Sequence, residues 1–418
     1  MPVPFFPRPS RGLYGFEDDL AVRSHKEGLK GGDEPLLCNG SEDLLDDQQK
    51  KGGCTMKQYG KKMIVAVFII GLVFGLSHGL IAPTWAAEQI VVCNWGGRDS
   101  DLEKEAFYDP FEKDTGIKVI ITSPPLVGKI KAQIDSGNIE WDLILTDIPS
   151  IMSLTEEGKE YLEEIDYSKI DAKLLAQIIP ETKRKYSVGG RIYSFNICYN
   201  TKTLKKLPKS YADFWDAKNF PGARSLNNSL GGIFPQLEAA VMADGVPFNK
   251  LYPIDVERAW KSMDRVKPIV TKWYKSHGEV VQMLVKGEVD MAVTIGPMVV
   301  SEKWLGAPVA AGFNQQKLAA DNWCILKGTK NKANAYKLMH YVLDAKRQAK
   351  FSSQAPYGPS NMEASKYIDP KLAADINTAP ENYKASYWQD VKWWAEVGSD
   401  GKSNRETAIE RMNKWLMQ

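Results

Sequence analysis

Ile90-Val91-Val92-Cys93-Asn94-Trp95-Gly96-Gly97 decides how the rest of this 418-residue chain is read. Four consecutive apolar residues have the pattern of a strand buried on both faces, and the Gly-Gly that follows marks a turn. Asp99-Ser100-Asp101 then offer capping oxygens to a helix with Leu102, Ala106 and Phe107 on one side, kinked near Pro110 and ended around Gly116. Residues 118–122 read as a second strand, 127–135 as a helix stopped near Gly137, and 142–145 as a third strand. This β-α-β-α-β order implies an α/β fold with a parallel sheet covered by helices. Ligands of such sheets bind beyond the carboxyl ends of the strands. That rule singles out Trp95 and Gly96 after the first strand and Asp147 after the third. Asp147 equally reads as the cap of a helix starting near Ser150.

The pattern then begins again. Val188-Gly189-Gly190-Arg191 reads as a turn, and 192–199 as a strand carrying the chain into a second lobe. Residues 211–222 (YADFWDAKNFPG) read as a short helix and a loop. Helical periodicity covers 235–243, 255–267 and 278–286, followed by a buried strand at 289–294 and a return strand at 322–326. Residues 334–344 and 404–417 are amphipathic helices. Two α/β patterns in one chain fit two lobes, assigned as 87–194 with 321–365 and 195–320 with 366–418. No internal repeat and no low-complexity segment occurs after residue 86.

Upstream of Ile90 lies the pattern of an export signal. Lys57, Lys61 and Lys62 precede an apolar run at 63–76, and Thr84-Trp85-Ala86 resembles a small-residue cleavage site. Residues 56–86 therefore read as a cleaved signal peptide opening at Met56. The alternative is an uncleaved anchor, because 63–81 approaches the length of a spanning helix. Residues 1–55, with Pro, Gly and mixed charge, have the composition of a disordered extension or a mis-assigned start. The formal charge is +2, with no basic stripe, so a nucleic-acid partner is not expected. Beyond residue 86 stand Cys93, Cys198 and Cys324. Cys93 and Cys198 sit in apolar, strand-like contexts that favour buried free thiols. Spacing leaves a disulfide between two of the three open.

A set of segments carries a family resemblance: NWGG at 94–97, FEKDTGIKV at 111–119, WDLILTD at 141–147, GGRIYSFNICYNTK at 189–202, KGEVDMAV at 286–293 and DNWCILKGTKNKANAYKLMHYVL at 321–343. In this order they resemble a periplasmic solute-binding protein of an ABC importer, in the spermidine/putrescine-binding (extracellular solute-binding family 1) group. The similarity spans 87–418. It implies a two-lobed type II periplasmic-binding-protein fold, each lobe a mostly parallel sheet with covering helices, joined by hinge crossover strands and closing on a ligand. It further implies a small amine or amino-acid-like solute, an ABC permease as membrane partner, and a monomeric periplasmic protein.

A cationic amine needs carboxylates and aromatic faces to replace its water. The candidate ligand-binding residues are Trp95, Gly96, Asp147, Tyr193, Asn227, Trp273, Asp321, Trp323 and Tyr357. Trp95 and Asp321 fall where the family places an aromatic wall and an amine-holding carboxylate. Trp95 and Trp323 read equally as packing residues, and Asp321 as a turn cap or a partner of Lys327. Three departures from the polyamine binders stand out. Leu226-Asn227-Asn228-Ser229 replaces an acidic pair, Thr294-Ile295-Gly296-Pro297 lacks a Trp, and Ala319 stands where an aromatic is usual. A long polyamine loses anchors, so a smaller solute with one amine and a carboxylate, of the 4-aminobutyrate type, becomes equally plausible. Arg191 and Arg224 read as ion-pair residues, either able to bind a carboxylate if it faces the cleft.

Other classes lack signals. Beyond residue 86 there is no G-x-S-x-G elbow, no G-x-x-x-x-G-K-[ST] loop and no H-E-x-x-H, and only two histidines, His277 and His340, occur there. The expectation is binding without catalysis, with no cofactor and no metal. A membrane-tethered solute sensor remains the alternative if the leader is retained.

Overall fold

The computed structural model describes residues 88–155, 159–229 and 235–418. The expected leader at 56–86 and the extension before it lie outside the described residues. One continuous sheet runs through the described chain. Its strands are β1 (Gln89–Cys93), β2 (Lys118–Thr122), β3 (Leu143–Asp147), β4 (Val188–Asn200), β5 (Arg224–Asn227), β6 (Val270–Tyr274), β7 (Met291–Ile295), β8 (Val309–Ile325), β9 (Gly358–Pro359) and β10 (Ser386–Trp388). Their order is β2-β1-β3-β8-β4-β7-β5-β6, with β10 added to β8 and β9 to β4. The outer trios β2-β1-β3 and β7-β5-β6 are each parallel. Between them β4 and β8 run antiparallel to each other and to their neighbours β7 and β3. Two long antiparallel strands thus carry the chain from one parallel trio to the other.

Parallel strands bury both faces, so each trio has two apolar layers. Along β3, Leu143 and Leu145 pack with Phe107, Phe111 and Leu338, whereas Ile144 packs with Trp141 and Leu162 on the opposite layer. Around β7, Met291 and Val293 join Trp260, Met263 and Met412, while Ala292 faces Val280 and Leu284. The three cysteines fall inside these layers as buried free thiols. Burial pushes the Cys93 thiol up to about 12 and raises Cys198 and Cys324 further. Ile368 and Ile376 pack with Ala345 and Ala349, so the expected boundary at 365 falls within one apolar cluster.

Three local expectations need correction. The helix after β1 starts at Gly97, with Gly96 as its cap and no capping side chain, so Asp99 is free for another partner. The kink expected at Pro110 is a π turn over Lys104–Tyr108 that joins two α-helical stretches, because proline has no N–H to give the preceding turn. Gly189 and Gly190 lie within β4 rather than in a turn. The register slips between Val188 and Gly190, which inserts Gly189 as a bulge. Gly190 has φ +147°, and a Cβ there would stand 1.9 Å from the Asp321 carbonyl oxygen. β8 also extends far upstream of the expected return strand. Its first residues are small and polar and carry little apolar signal.

Gly190→Ala should therefore destabilise the protein by about 3 kcal/mol, the scale of a strained backbone position combined with a core clash. Urea unfolding checks this, and a change below about 1 kcal/mol would mean that β4 and β8 can part at that point without cost.

Candidate functional site

At the carboxyl ends of β1 and β3, and on β4 and β8 between the trios, charged side chains gather around one guanidinium. Arg191 is buried on β4. Its Nε donates to Asp321 Oδ2 at 2.9 Å, and its Nη1 donates to Asp99 Oδ2 at 2.9 Å and lies 3.6 Å from Glu103 Oε1. Its guanidinium carbon sits 4.4 Å from the centroid of the Tyr357 ring, which stacks on Phe351. Asp99 and Glu103 are four residues apart on the helical segment opened by Gly96-Gly97, and that spacing presents both to Arg191. Asn94 fixes the opening turn. Its Oδ1 accepts from Gly96 N–H at 3.0 Å, and its Nδ2 donates to Ser100 Oγ and Glu103 Oε2. Gly96, at φ +75°, leaves room for Ser123, whose Oγ a Cβ would approach to 2.7 Å.

Asp147 and Asp321 are register partners on β3 and β8. Asp147 caps the helix Ile148–Ser153 through Ser150 N–H at 3.0 Å, so the capping role expected of it is real. Asp99, Glu103 and Asp321 surround the guanidinium of Arg191, and Asp147 stands beside Asp321. Burial raises the Asp321 carboxyl to about 6; Arg191 pulls it down, while Asp147 and Asp99 push it up. Burial likewise raises Glu103 to about 7, against the lowering influence of Arg191. An excess of carboxylates over cations, set among aromatic rings, suits a cationic group. Tyr193, 6% exposed, adds an aromatic wall that packs with Phe195, Ile295 and Tyr357.

The carboxyl ends of β5, β6 and β7 have a different character. Asn227 ends β5 and is 2% exposed. Its Oδ1 accepts from Ser229 N–H at 2.7 Å, while its Nδ2 is buried without a protein partner. His277 Nδ1 lies 2.9 Å from Thr294 Oγ1, and its ring packs on Phe195 and Tyr274. Burial pushes His277 down to about 4, so it is a neutral imidazole near pH 7. Among the described residues, Asn227, Thr294 and His277 give this end polar groups without formal charge. On the other side, the half-buried Trp95 also has an indole N–H that is buried without a protein partner.

The structure thus brings Asp147, Tyr193, Asp321 and Tyr357 to the Arg191 cluster, with Trp95 and Gly96 on the adjoining turn. Two expectations are corrected. Trp323 is 2% exposed and packs with Val188, Leu145 and Phe107, because the helical layer covers it two residues beyond Asp321. Trp273 meets Trp415 edge-on at 5.5 Å, since strand alternation turns it towards the C-terminal helix while Tyr274 turns towards His277. Arg224 is 1% exposed and donates to the carbonyls of Phe214, Gly222 and Phe220, which makes it a structural brace. Sequence reasoning missed Asp99, Glu103 and Asn94, although the i, i+4 spacing of the two acids after a Gly-Gly turn was visible. Among the described residues no group of three His, Cys, Asp or Glu side chains could hold a metal ion, and no helix is long and apolar enough to cross a membrane.

Comparison with known proteins places this geometry. The profile of a family described as bacterial extracellular solute-binding protein matches residues 106–381. The gamma-aminobutyric acid-binding protein of Pseudomonas aeruginosa is 28% identical over 348 residues, covering 82% of this chain and 94% of that protein. Spermidine/putrescine-binding periplasmic protein 1 of Haemophilus influenzae is 26% identical over 351 residues, covering 75% of this chain and 93% of its own length. Among solved structures, an ABC transporter substrate-binding protein from Bradyrhizobium japonicum is 34% identical with a TM-score of 0.70, covering 79% of this chain and 99% of that one.

The raised carboxyls set a sign for pH dependence. Folded Glu103 and Asp321 hold protons up to about 7 and about 6, whereas the unfolded chain releases them near the ordinary carboxylate range. The folded state therefore binds more protons through this window, and these two groups cost stability as pH rises through it. Between pH 5.5 and 8, Glu103→Gln should lose less unfolding free energy than the unsubstituted protein. Equal losses in urea titrations would place the Glu103 proton elsewhere.

Proposed function

The chain belongs to the bacterial extracellular solute-binding proteins and has their two-lobed type II fold, and on that premise we propose that it captures a short ω-amino acid for an ABC importer. The observation that carries this reading is the unequal charge of the strand ends. The Arg191 cluster, with its excess of carboxylates, suits an ammonium group through charge-assisted hydrogen bonds to Asp147 or Asp321. Asn227, His277 and Thr294 supply no carboxylate for a second ammonium. The buried Nδ2 of Asn227, which has no protein partner, suits a carboxylate oxygen instead. A diamine would leave its second charge desolvated and unpaired, which is the expensive outcome. The names of the two relatives span both solutes, a 4-aminobutyrate binder and a polyamine binder. The neutral pole favours the first.

In this reading the lobes are 87–194 with 321–365 and 195–320 with 366–418. Support comes from the separate apolar layers around each parallel trio and from the two long strands between them. Trp95, Gly96, Asp147, Tyr193, Asn227, Asp321 and Tyr357 face the solute, while Trp273 and Trp323 pack behind the walls. Closure of the lobes buries the solute, and no covalent step is involved. The protein works as a periplasmic monomer after cleavage near Ala86 and passes its solute to permease subunits in the membrane.

Two experiments test this reading. A thermal-shift panel should raise the melting temperature with 4-aminobutyrate or 5-aminovalerate and leave it unchanged with putrescine and spermidine at equal concentration. A response to the diamine alone would overturn the ω-amino-acid assignment. N-terminal sequencing of exported protein should begin at or near Ala87, whereas recovery of residues 57–86 in the membrane fraction would establish a tethered sensor.

A further inference from the structure

Behind β8, within the apolar layer around β5 and β7, lies an ion pair shielded from solvent on both sides. Lys317 Nζ and Glu238 Oε1 are 3.0 Å apart, and both side chains are 0% exposed. The same Oε1 accepts from Tyr252 Oη at 2.6 Å and from Trp394 Nε1 at 3.3 Å. The other carboxylate oxygen, Glu238 Oε2, is buried and has no protein partner. Two phenol oxygens share that condition. Tyr211 is 1% exposed and Tyr387 is 7% exposed, and neither hydroxyl meets a protein partner. Tyr387 is the register partner of Lys317 across β10 and β8, and Tyr211 packs in the same apolar layer as Tyr387 and Trp394. That pairing across the strands and that packing set the three oxygens around the Lys317–Glu238 pair.

Orphaned polar atoms this deep cost free energy unless something satisfies them. We propose that Glu238 Oε2, Tyr211 Oη and Tyr387 Oη form a binding site for one internal water molecule, which donates to the carboxylate and bridges the two hydroxyls. Three partners is the usual coordination of a buried water. Other occupants fit badly. A metal or ammonium ion would stand beside the Lys317 ammonium, which already neutralises Glu238, and an anion would face the carboxylate. An apolar filling would leave all three oxygens unpaired.

The position gives the water a mechanical role. Just before Lys317, β8 bulges away from β4. Register passes from Phe195 opposite Lys317 to Ile197 opposite Gly312, and Gln315 adopts φ +60°. Asn196 Nδ2 closes this bulge by donating to Gly312 O and Gln316 Oε1. The water ties Tyr387 on β10 and Tyr211 on helix Tyr211–Trp215 to the carboxylate that holds Lys317. It thereby fastens the crossover strand where its pairing resumes.

A crystal structure of the protein at about 1.5 Å tests this. One ordered peak is expected within about 2.6–3.2 Å of Glu238 Oε2, Tyr211 Oη and Tyr387 Oη, refining as water rather than a heavier ion. The peak should vanish in Tyr211→Phe/Tyr387→Phe, which should also melt below the unsubstituted protein. Direct bonding of either hydroxyl to Glu238 Oε2 with no peak between them would overturn the proposal, as would a peak with the electron count and coordination of a metal ion. If the double variant fails to fold, the density in the unsubstituted protein decides alone.

Discussion

A guanidinium that has lost its water must be surrounded by acceptors, and the placement of Arg191 imposes that condition on this chain. Its partners come from separate parts of the sequence: Asp99 and Glu103 on the first helical segment, Asp321 on β8, and the face of Tyr357 just before β9. Leaving such a charge unpaired costs about 3–5 kcal/mol, so loss of one partner is felt by all the elements that meet there. The glycines on either side serve the same end. Gly190 brings the β4 backbone against β8, and Gly96 opens the turn that aims the helix bearing the two acids.

The cluster is also unbalanced, and the imbalance links architecture to function. With the acids ionised, three carboxylates meet one guanidinium and Asp147 adds its charge beside Asp321, and burial raises Asp321 and Glu103 towards neutral pH. A ligand ammonium reverses that cost by completing the charge. Across the crossover strands, Asn227, Thr294 and His277 present donors and acceptors with no formal charge. His277 has its protonation suppressed by burial. On the proposed reading a solute with one positive end matches these poles better than one with two.

Much of this was legible in the residues, for reasons that are physical. The strands β1 and β3 announce themselves because burial demands apolar runs, the edge strand β2 through its run of Val and Ile, and the helices between them through Gly stops. The family pattern points to Asp321, and the turn at Tyr357 reads as one that could return near the cleft; the fold brings both to Arg191. Trp323 and Trp273 could not be separated from true wall residues, because a Trp in a core and a Trp in a cleft have the same sequence. Only strand alternation and the covering helices decide between them. The long crossover β8 was half hidden, since a strand rich in Ala, Asn and Gln has no apolar period to betray it. The pairing of Arg191 with Asp99 and Glu103 was invisible for another reason: it joins positions some ninety residues apart, and only the folded sheet brings them together.

The central claim is that the solute lies between a carboxylate pole and a neutral pole. A crystal structure of the protein with 4-aminobutyrate bound tests it most directly. The account predicts the ammonium nitrogen within about 3 Å of an Asp147 or Asp321 oxygen and the carboxylate against Asn227 Nδ2. A ligand bound with its carboxylate on the Asp147–Asp321 side, or bound away from β4 and β8 altogether, would contradict it.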